Sequence, residues 1–251
     1  MQVGLIGAGN MARAIARGWG DPVLCSDAGS GRAAALVAEL GGEACSNAEV
    51  AKRADLVVLC HKPYQLEAVA HEIAPHVKAV ASVLGGTPNG ALQGAYGNAQ
   101  IFQLMPNTAV EVRQGVTCYA PSAGVDPELE AAVIALFERL GSVITVPHEQ
   151  LGPAAAVFSV GPAYQALLAE AQVDAAVRHG LSAALAGRLV AETMAGTAAL
   201  LANRDHDTLA VRREVTSPGG STARGLAALE RAGVRAAFQD AMDAVITKGR
   251  S

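Results

Sequence analysis

The chain has 251 residues, with 19 Lys plus Arg against 23 Asp plus Glu and a formal net charge of −4. That length allows one or two domains, each with a real core, so stapling by disulfides is not needed. No basic run exists to neutralise phosphates, which argues against a nucleic-acid partner, and a hydrophobic share of 51% with 17% charged excludes disorder for most of the chain.

In chain order, Met1-Gln2-Val3-Gly4-Leu5-Ile6-Gly7 enters a strand pattern directly, with no basic region or cleavage site ahead of it. The expectation is a cytoplasmic enzyme. Strands are predicted at Val3 to Ile6, Val23 to Ser26, Leu56 to Cys60, Val77 to Val83 and Ile101 to Leu104. Between them, Asn10 to Trp19, Ser30 to Leu40 and Tyr64 to Ala74 read as helices, the last with Leu66, Val69, Ala70 and Ile73 on one apolar stripe after a first-turn Pro63. A further strand, helix and strand follow at Val116 to Tyr119, Pro127 to Leu140 and Ser142 to Val146. Strands alternating with helices predict a parallel sheet covered on both faces.

After His148 the strand pattern stops. Ala163 to His179, ended by Gly180, and Ala183 to Asn203 are long, Ala/Leu-rich helical runs. The uncharged stretch from Gln150 to Ala169 is long enough to suggest a membrane span, but Pro153, Ser159, Pro162, Gln165 and two glycines interrupt it, so no membrane partner is expected. Helices this apolar on more than one side need cover, and a second copy of the chain is the expected cover. The predicted fold class is α/β. It comprises an N-terminal Rossmann-type NAD(P)-binding domain over residues 1–147 and an all-helical dimerisation and substrate-binding domain over residues 148–251. Cys25, Cys45, Cys60 and Cys118 form no C-x-x-C pair and have no His spacing of a zinc site, so they read as structural thiols and no metal is expected.

Two motifs carry chemistry. Gly7-Ala8-Gly9-Asn10-Met11-Ala12 is a G-x-G-x-x-A run between a strand and a helix. Gly7 allows the tight turn, Gly9 clears space for a pyrophosphate and Ala12 lets helix and strand pack closely. Asp27, at the end of the second strand, stands where an acidic side chain would bind a ribose 2′-hydroxyl and repel a 2′-phosphate. Ser26, Ser30 and Arg32 would hold such a phosphate if Asp27 turned away. NADH and NADPH both stay open. The second motif, Ser217-Pro218-Gly219-Gly220-Ser221-Thr222, reads either as a helix cap with a first-turn proline or as an anion site on the N–H groups of Gly220, Ser221 and Thr222.

With these motifs the chain resembles the Δ1-pyrroline-5-carboxylate reductases, which reduce a cyclic imine to proline. Gly7 to Ala12 looks like the family's cofactor loop, His61-Lys62-Pro63 like its V-K-P, and Leu104-Met105-Pro106-Asn107-Thr108 like its M-P-N-T. Val215 to Ala223 is similar to its substrate loop almost letter for letter, and Gly161-Pro162-Ala163-Tyr164 also matches. The resemblance implies NADPH or NADH held by Gly7, Ala8, Gly9, Asn10, Met11, Ser26, Asp27, Lys62, Pro63, Met105, Pro106 and Asn107. It implies substrate binding by Ser217, Gly219, Gly220, Ser221 and Thr222, with the carboxylate on the backbone amides around Gly220 and Ser221 and the Thr222 hydroxyl at the ring nitrogen as orienter and proton relay. It also implies a homodimer or an assembly of dimers.

The chain departs from the family where Ser159-Val160 stand for a glycine and a hydroxyl, and where His61 stands for an apolar residue. A non-catalytic or altered-specificity relative is therefore the competing expectation. A hydroxyacid dehydrogenase would need a lysine on the first long helix of the second domain, and Gly161 to His179 holds none.

Overall fold

The computed structural model describes residues 1–248. Two compact units divide the chain, Met1–Pro162 and Ala163–Ser251. The first opens with β1 (Val3–Ile6), α1 (Asn10–Trp19), β2 (Val23–Ser26), α2 (Arg32–Leu40), β3 (Gly42–Ala44), α3 (Asn47–Arg53) and β4 (Leu56–Leu59). It continues through α4 (Leu66–Ile73), β5 (Ala79–Ser82), α5 (Asn89–Tyr96), β6 (Gln100–Pro106), β7 (Gly115–Ala120), α6 (Pro127–Glu138), β8 (Gly141–Thr145) and α7 (Leu151–Phe158).

The eight strands form one sheet in the order β3-β2-β1-β4-β5-β6-β7-β8. β1 is flanked by β2 and β4, with Leu5 opposite Cys25 on one side and opposite Val58 on the other. All pairs from β3 to β6 are parallel, but β7 runs antiparallel to β6, and β8 then runs parallel to β7. The expected wholly parallel sheet is thus mixed, because the short 3-10 turn Thr108–Val112 between β6 and β7 is no crossover helix and only allows a return.

Burial on both faces explains the apolar strands. Leu5, Val58 and Phe102 join Ile15, Trp19 and Phe137 in one core, while Ile6, Val57 and Leu59 join Ile73, Leu92 and Tyr96 in the other. Trp19 meets the Phe137 ring edge-on at 5.6 Å and donates its indole N–H to the Leu136 carbonyl at 2.9 Å.

Three elements escaped the sequence reading. β3 is a three-residue edge strand with every side chain exposed, so it carries no alternation to detect. α3 is short, but its start is marked by Ser46, whose hydroxyl accepts from the Glu49 N–H at 3.3 Å, half of a capping box. α5 begins directly after Pro88, which supplies no side-chain cap.

The second unit consists of helices: the body of α8 (Gly161–Arg178), then α9 (Ala183–Ala202), α10 (Thr208–Glu214), α11 (Ser221–Arg231) and α12 (Val234–Lys248). Gly180 ends α8 at φ 96°, as its sequence position suggested. Within one chain these helices cover little of their apolar surface. α8 buries none of its residues and α9 only Ala186. Leu167, Leu185, Leu189, Leu200, Leu229 and Phe238 stand exposed. His148–Arg178 and Ala183–Ala202 are also long and apolar enough, by length and composition only, to cross a membrane.

Candidate functional site

The strand order reverses between β1 and β4, and a cleft of about 260 Å³ opens there beyond the strands' carboxyl ends. Gly7, Ala8 and Gly9 follow β1, Asp27, Ala28, Ser30 and Arg32 follow β2, and Cys60, His61, Lys62 and Gln65 follow β4. Asn47 at the start of α3 completes the polar wall.

The glycine loop has two different reasons for its glycines. Gly7 adopts φ +100°, and a Cβ there would lie 2.8 Å from the Cys60 carbonyl carbon and the His61 nitrogen. Its own N–H donates to the Ser26 carbonyl at 3.0 Å, while Cys60 N–H donates to the Ile6 carbonyl at 2.8 Å, so the loop is pinned between β2 and β4. Gly9 is the N-cap of α1 without a side-chain cap, and a Cβ on it would meet nothing within 4 Å. That open cradle, with the N–H groups of the first helical turn facing it, fits a pyrophosphate.

At the other end, Asp27 lines the cleft, but its carboxylate is engaged by its own loop. Its carboxylate accepts from Gly29 N–H and Ala33 N–H, both at 2.9 Å, and from the Ser30 hydroxyl at 2.9 Å. The Ala33 N–H first, and then Ser30 and Gly29, hold its carboxyl below the usual carboxylate range. Among the described residues the Arg32 guanidinium has no carboxylate partner.

Several residues named from sequence lie outside the cleft lining. Ser26 is buried, and its hydroxyl donates to Asn47 Oδ1 at 2.6 Å. Asn10 accepts from the Arg13 guanidinium at 2.7 Å, and Met11 packs against the core. Pro63 starts a 3-10 turn in which Gln65 Oε1 accepts from Lys62 N–H at 3.0 Å. Met105 packs with Cys118, Leu151 and Phe158, and Pro106 closes β6. Asn107 spends its amide internally, donating to the Phe158 carbonyl at 3.1 Å and accepting from Val116 N–H at 3.2 Å, which ties the end of β6 to β7 and α7. Asn47 and Gln65 were missed from sequence. Asn47 was hidden with the unrecognised β3–α3 unit, although Ser46 before it was a legible signal.

In the second unit, Ser217 to Gly220 form a β-turn closed by Gly220 N–H on the Ser217 carbonyl at 3.1 Å, with Gly219 at φ +70°. Pro218 therefore sits in the turn, not in the helix, and the cap is Gly220 rather than a hydroxyl. The expected anion set shifts by one residue. Gly220 N–H is spent on the turn, leaving those of Ser221, Thr222 and Ala223, since the first helical bond runs from Arg224 N–H to the Gly220 carbonyl. A Cβ on Gly220 would meet Ser217 Oγ at 2.5 Å and the Ser217 carbonyl oxygen at 3.2 Å, so a larger residue there would displace the Ser217 side chain. Thr222 is exposed, and its hydroxyl has no partner among the described residues.

A doubly wound sheet with a glycine loop at its switch point, followed by a helical unit, defines a dinucleotide-dependent oxidoreductase. Residues 148–251 match the family model for pyrroline-5-carboxylate reductase dimerisation, and residues 2–86 match that for NADP oxidoreductase, coenzyme F420-dependent. The chain is 33% identical to the pyrroline-5-carboxylate reductase of Thermus thermophilus, covering 99% of this chain and 97% of that one. It is 34% identical to the Synechocystis enzyme of the same name, over 81% of this chain and 77% of that one. The crystal structure of the Plasmodium falciparum pyrroline carboxylate reductase with NADP bound aligns at a TM-score of 0.88 and 27% identity, covering 99% of this chain and 97% of that one.

The chain belongs to the pyrroline-5-carboxylate reductase family. Its activity is the NAD(P)H-dependent reduction of pyrroline-5-carboxylate to proline.

The two loop glycines separate in experiment. Gly9→Val should fold normally and lose NAD(P)H binding, because its side chain fills the cradle. Gly7→Ala should lower the melting temperature, because φ +100° and the 2.8 Å approach both resist a Cβ. Calorimetry beside thermal unfolding distinguishes them, and unchanged affinity in a folded Gly9→Val protein would contradict the cofactor site.

Proposed function

We propose that the Ser217–Thr222 segment receives the imino acid, that the cleft at the switch point prefers NADPH over NADH, and that the enzyme is a cytoplasmic homodimer built through its helices. The free N–H groups of Ser221, Thr222 and Ala223 beside an unpartnered Thr222 hydroxyl are the observation that carries the substrate reading. Gly219 and Gly220 shape that arrangement, and Ser217 fixes it by accepting the Gly220 N–H.

The dinucleotide supplies the hydride when bound. Gly7, Ala8 and Gly9 would cradle its pyrophosphate, with Lys62 at the edge beyond β4. The protein's own part in the reaction is position and hydrogen bonding. A carboxylate on the helix-start N–H groups fixes the ring, and the Thr222 hydroxyl orients the imine nitrogen and relays to it a proton drawn from solvent water, regaining one as it gives one up. A neutral donor suffices, since cyclic imines accept protons near neutral pH.

The preference for NADPH is supported by Asp27, which is fully engaged by its own loop, and by Arg32, which is left free beside Ser30 at the same wall. Asp27 thus serves to hold the loop that carries Ser30 and Arg32, while its charge stays at the cleft wall. The Plasmodium falciparum relative's bound NADP agrees with this reading. The exposed apolar faces of α8, α9, α11 and α12 support a second copy as cover in place of lipid, as does the dimerisation family over residues 148–251. The same match supports dividing the chain functionally after residue 147.

Arg32→Ala should lower kcat/KM for NADPH about tenfold relative to NADH, the loss of one hydrogen bond to a charged group, and an unmoved ratio would remove Arg32 from the site. Thr222→Ala should retain cofactor binding and lose about 1.5–3 kcal/mol in kcat/KM for the imine, while Thr222→Ser keeps most activity. Kinetics equal to wild type in a folded Thr222→Ala protein would sink the role given to this hydroxyl.

A further inference from the structure

His61 lies two residues beyond the end of β4, and the mechanism above does not use it. Its ring forms part of the cleft wall beside Cys60 and Lys62. Nδ1 lies 2.9 Å from the Lys62 carbonyl oxygen. A carbonyl only accepts, so Nδ1 carries the proton, and Nε2 is left as a bare acceptor. Nε2 has almost no surface of its own exposed and no hydrogen-bond partner among the described residues, while the residue as a whole is only half-buried at the cleft wall. Burial lowers the pKa of the ring against the opposing pull of the Lys62 carbonyl, so protonation does not relieve this orphan near neutral pH. A buried acceptor without a donor is a cost that native structures tolerate where a ligand supplies the missing group.

The topology says which part of a dinucleotide that group belongs to. The adenosine ribose lies at the end of β2 and the pyrophosphate at the glycine loop after β1. Because β4 flanks β1 on the side opposite β2, His61 sits across the loop from the adenosine half. Phosphates have no hydrogen to donate at neutral pH. The nicotinamide half has ribose hydroxyls and a carboxamide N–H₂.

We infer that His61 is a cofactor-positioning residue whose Nε2 accepts a hydrogen bond from a hydroxyl or amide N–H of the dinucleotide's nicotinamide half. This rests on the dinucleotide reading of the cleft. The acceptor fixes the nicotinamide side, while Arg32 and its loop hold the adenosine side, so the two contributions are separable. In the free enzyme the acceptor is unsatisfied, and binding the cofactor satisfies it.

Binding of NADPH and of 2′,5′-ADP, which lacks the nicotinamide half, to wild type, His61→Leu and His61→Gln tests this by calorimetry without turnover. His61→Leu should weaken NADPH two- to tenfold, the range of one neutral hydrogen bond, and leave 2′,5′-ADP unchanged. Its melting temperature without ligand should equal or exceed that of wild type, because the orphan is gone. His61→Gln, whose amide oxygen reaches the place of Nε2, should recover much of the NADPH affinity. NADPH bound by His61→Leu as tightly as by wild type, or an equal loss for both ligands, would overturn the inference. Wild type that bound neither ligand would overturn the dinucleotide reading, and this inference with it.

Discussion

Everything at the cofactor cleft depends on how closely the turn after β1 approaches the end of β4. Gly7 can lie against the Cys60–His61 backbone only because it has no side chain and tolerates φ +100°. That contact draws the start of α1 down onto the sheet, so that Gly9 faces open space with a helical N-terminus behind it. The same contact brings His61 and Lys62 to one wall, and the Gly7 N–H bond to the Ser26 carbonyl brings the β2 loop to the other. A cleft with an open helix start in its middle and different side chains at its two ends follows from that one crossing.

The helical unit obeys a different constraint. Its helices are rich in Ala and Leu, yet within one chain α8 and α9 together bury a single residue. Water is a poor environment for that much apolar surface, and at about 25 cal/mol per Å² its burial is the dominant favourable term in association. The β-turn at Ser217 to Gly220 is shaped by local contacts: Gly219 takes the left-handed conformation and Gly220 N–H donates to the Ser217 carbonyl. Arg224 adds a clasp by donating to the Gly219 carbonyl at 2.7 Å.

The sequence was most readable where local pattern and tertiary role agree. The strand-glycine-helix start, the apolar stripe of Leu66, Val69, Ala70 and Ile73, and the change to helix after His148 all appear in the structure as read. Reading failed where the determining contact is distant. The commitment of Asn107 depends on the Phe158 carbonyl 51 residues away. The reversal of β7 was hidden because strand direction leaves no mark on composition. The glycines of the Ser217 to Gly220 turn were noticed correctly as unusual, but only the backbone shows that Gly220 N–H is spent and Ala223 N–H is free.

The central claim joins this fold to one reaction: a dinucleotide held at the switch point reduces a cyclic imino acid. The direct measurement is cofactor oxidation by the purified protein with pyrroline-5-carboxylate, followed together with proline formation. The account requires NADPH oxidation that depends on added imine and yields one proline per NADPH consumed. Oxidation that ignores the imine, or its absence in a folded protein that binds NADPH, would contradict it.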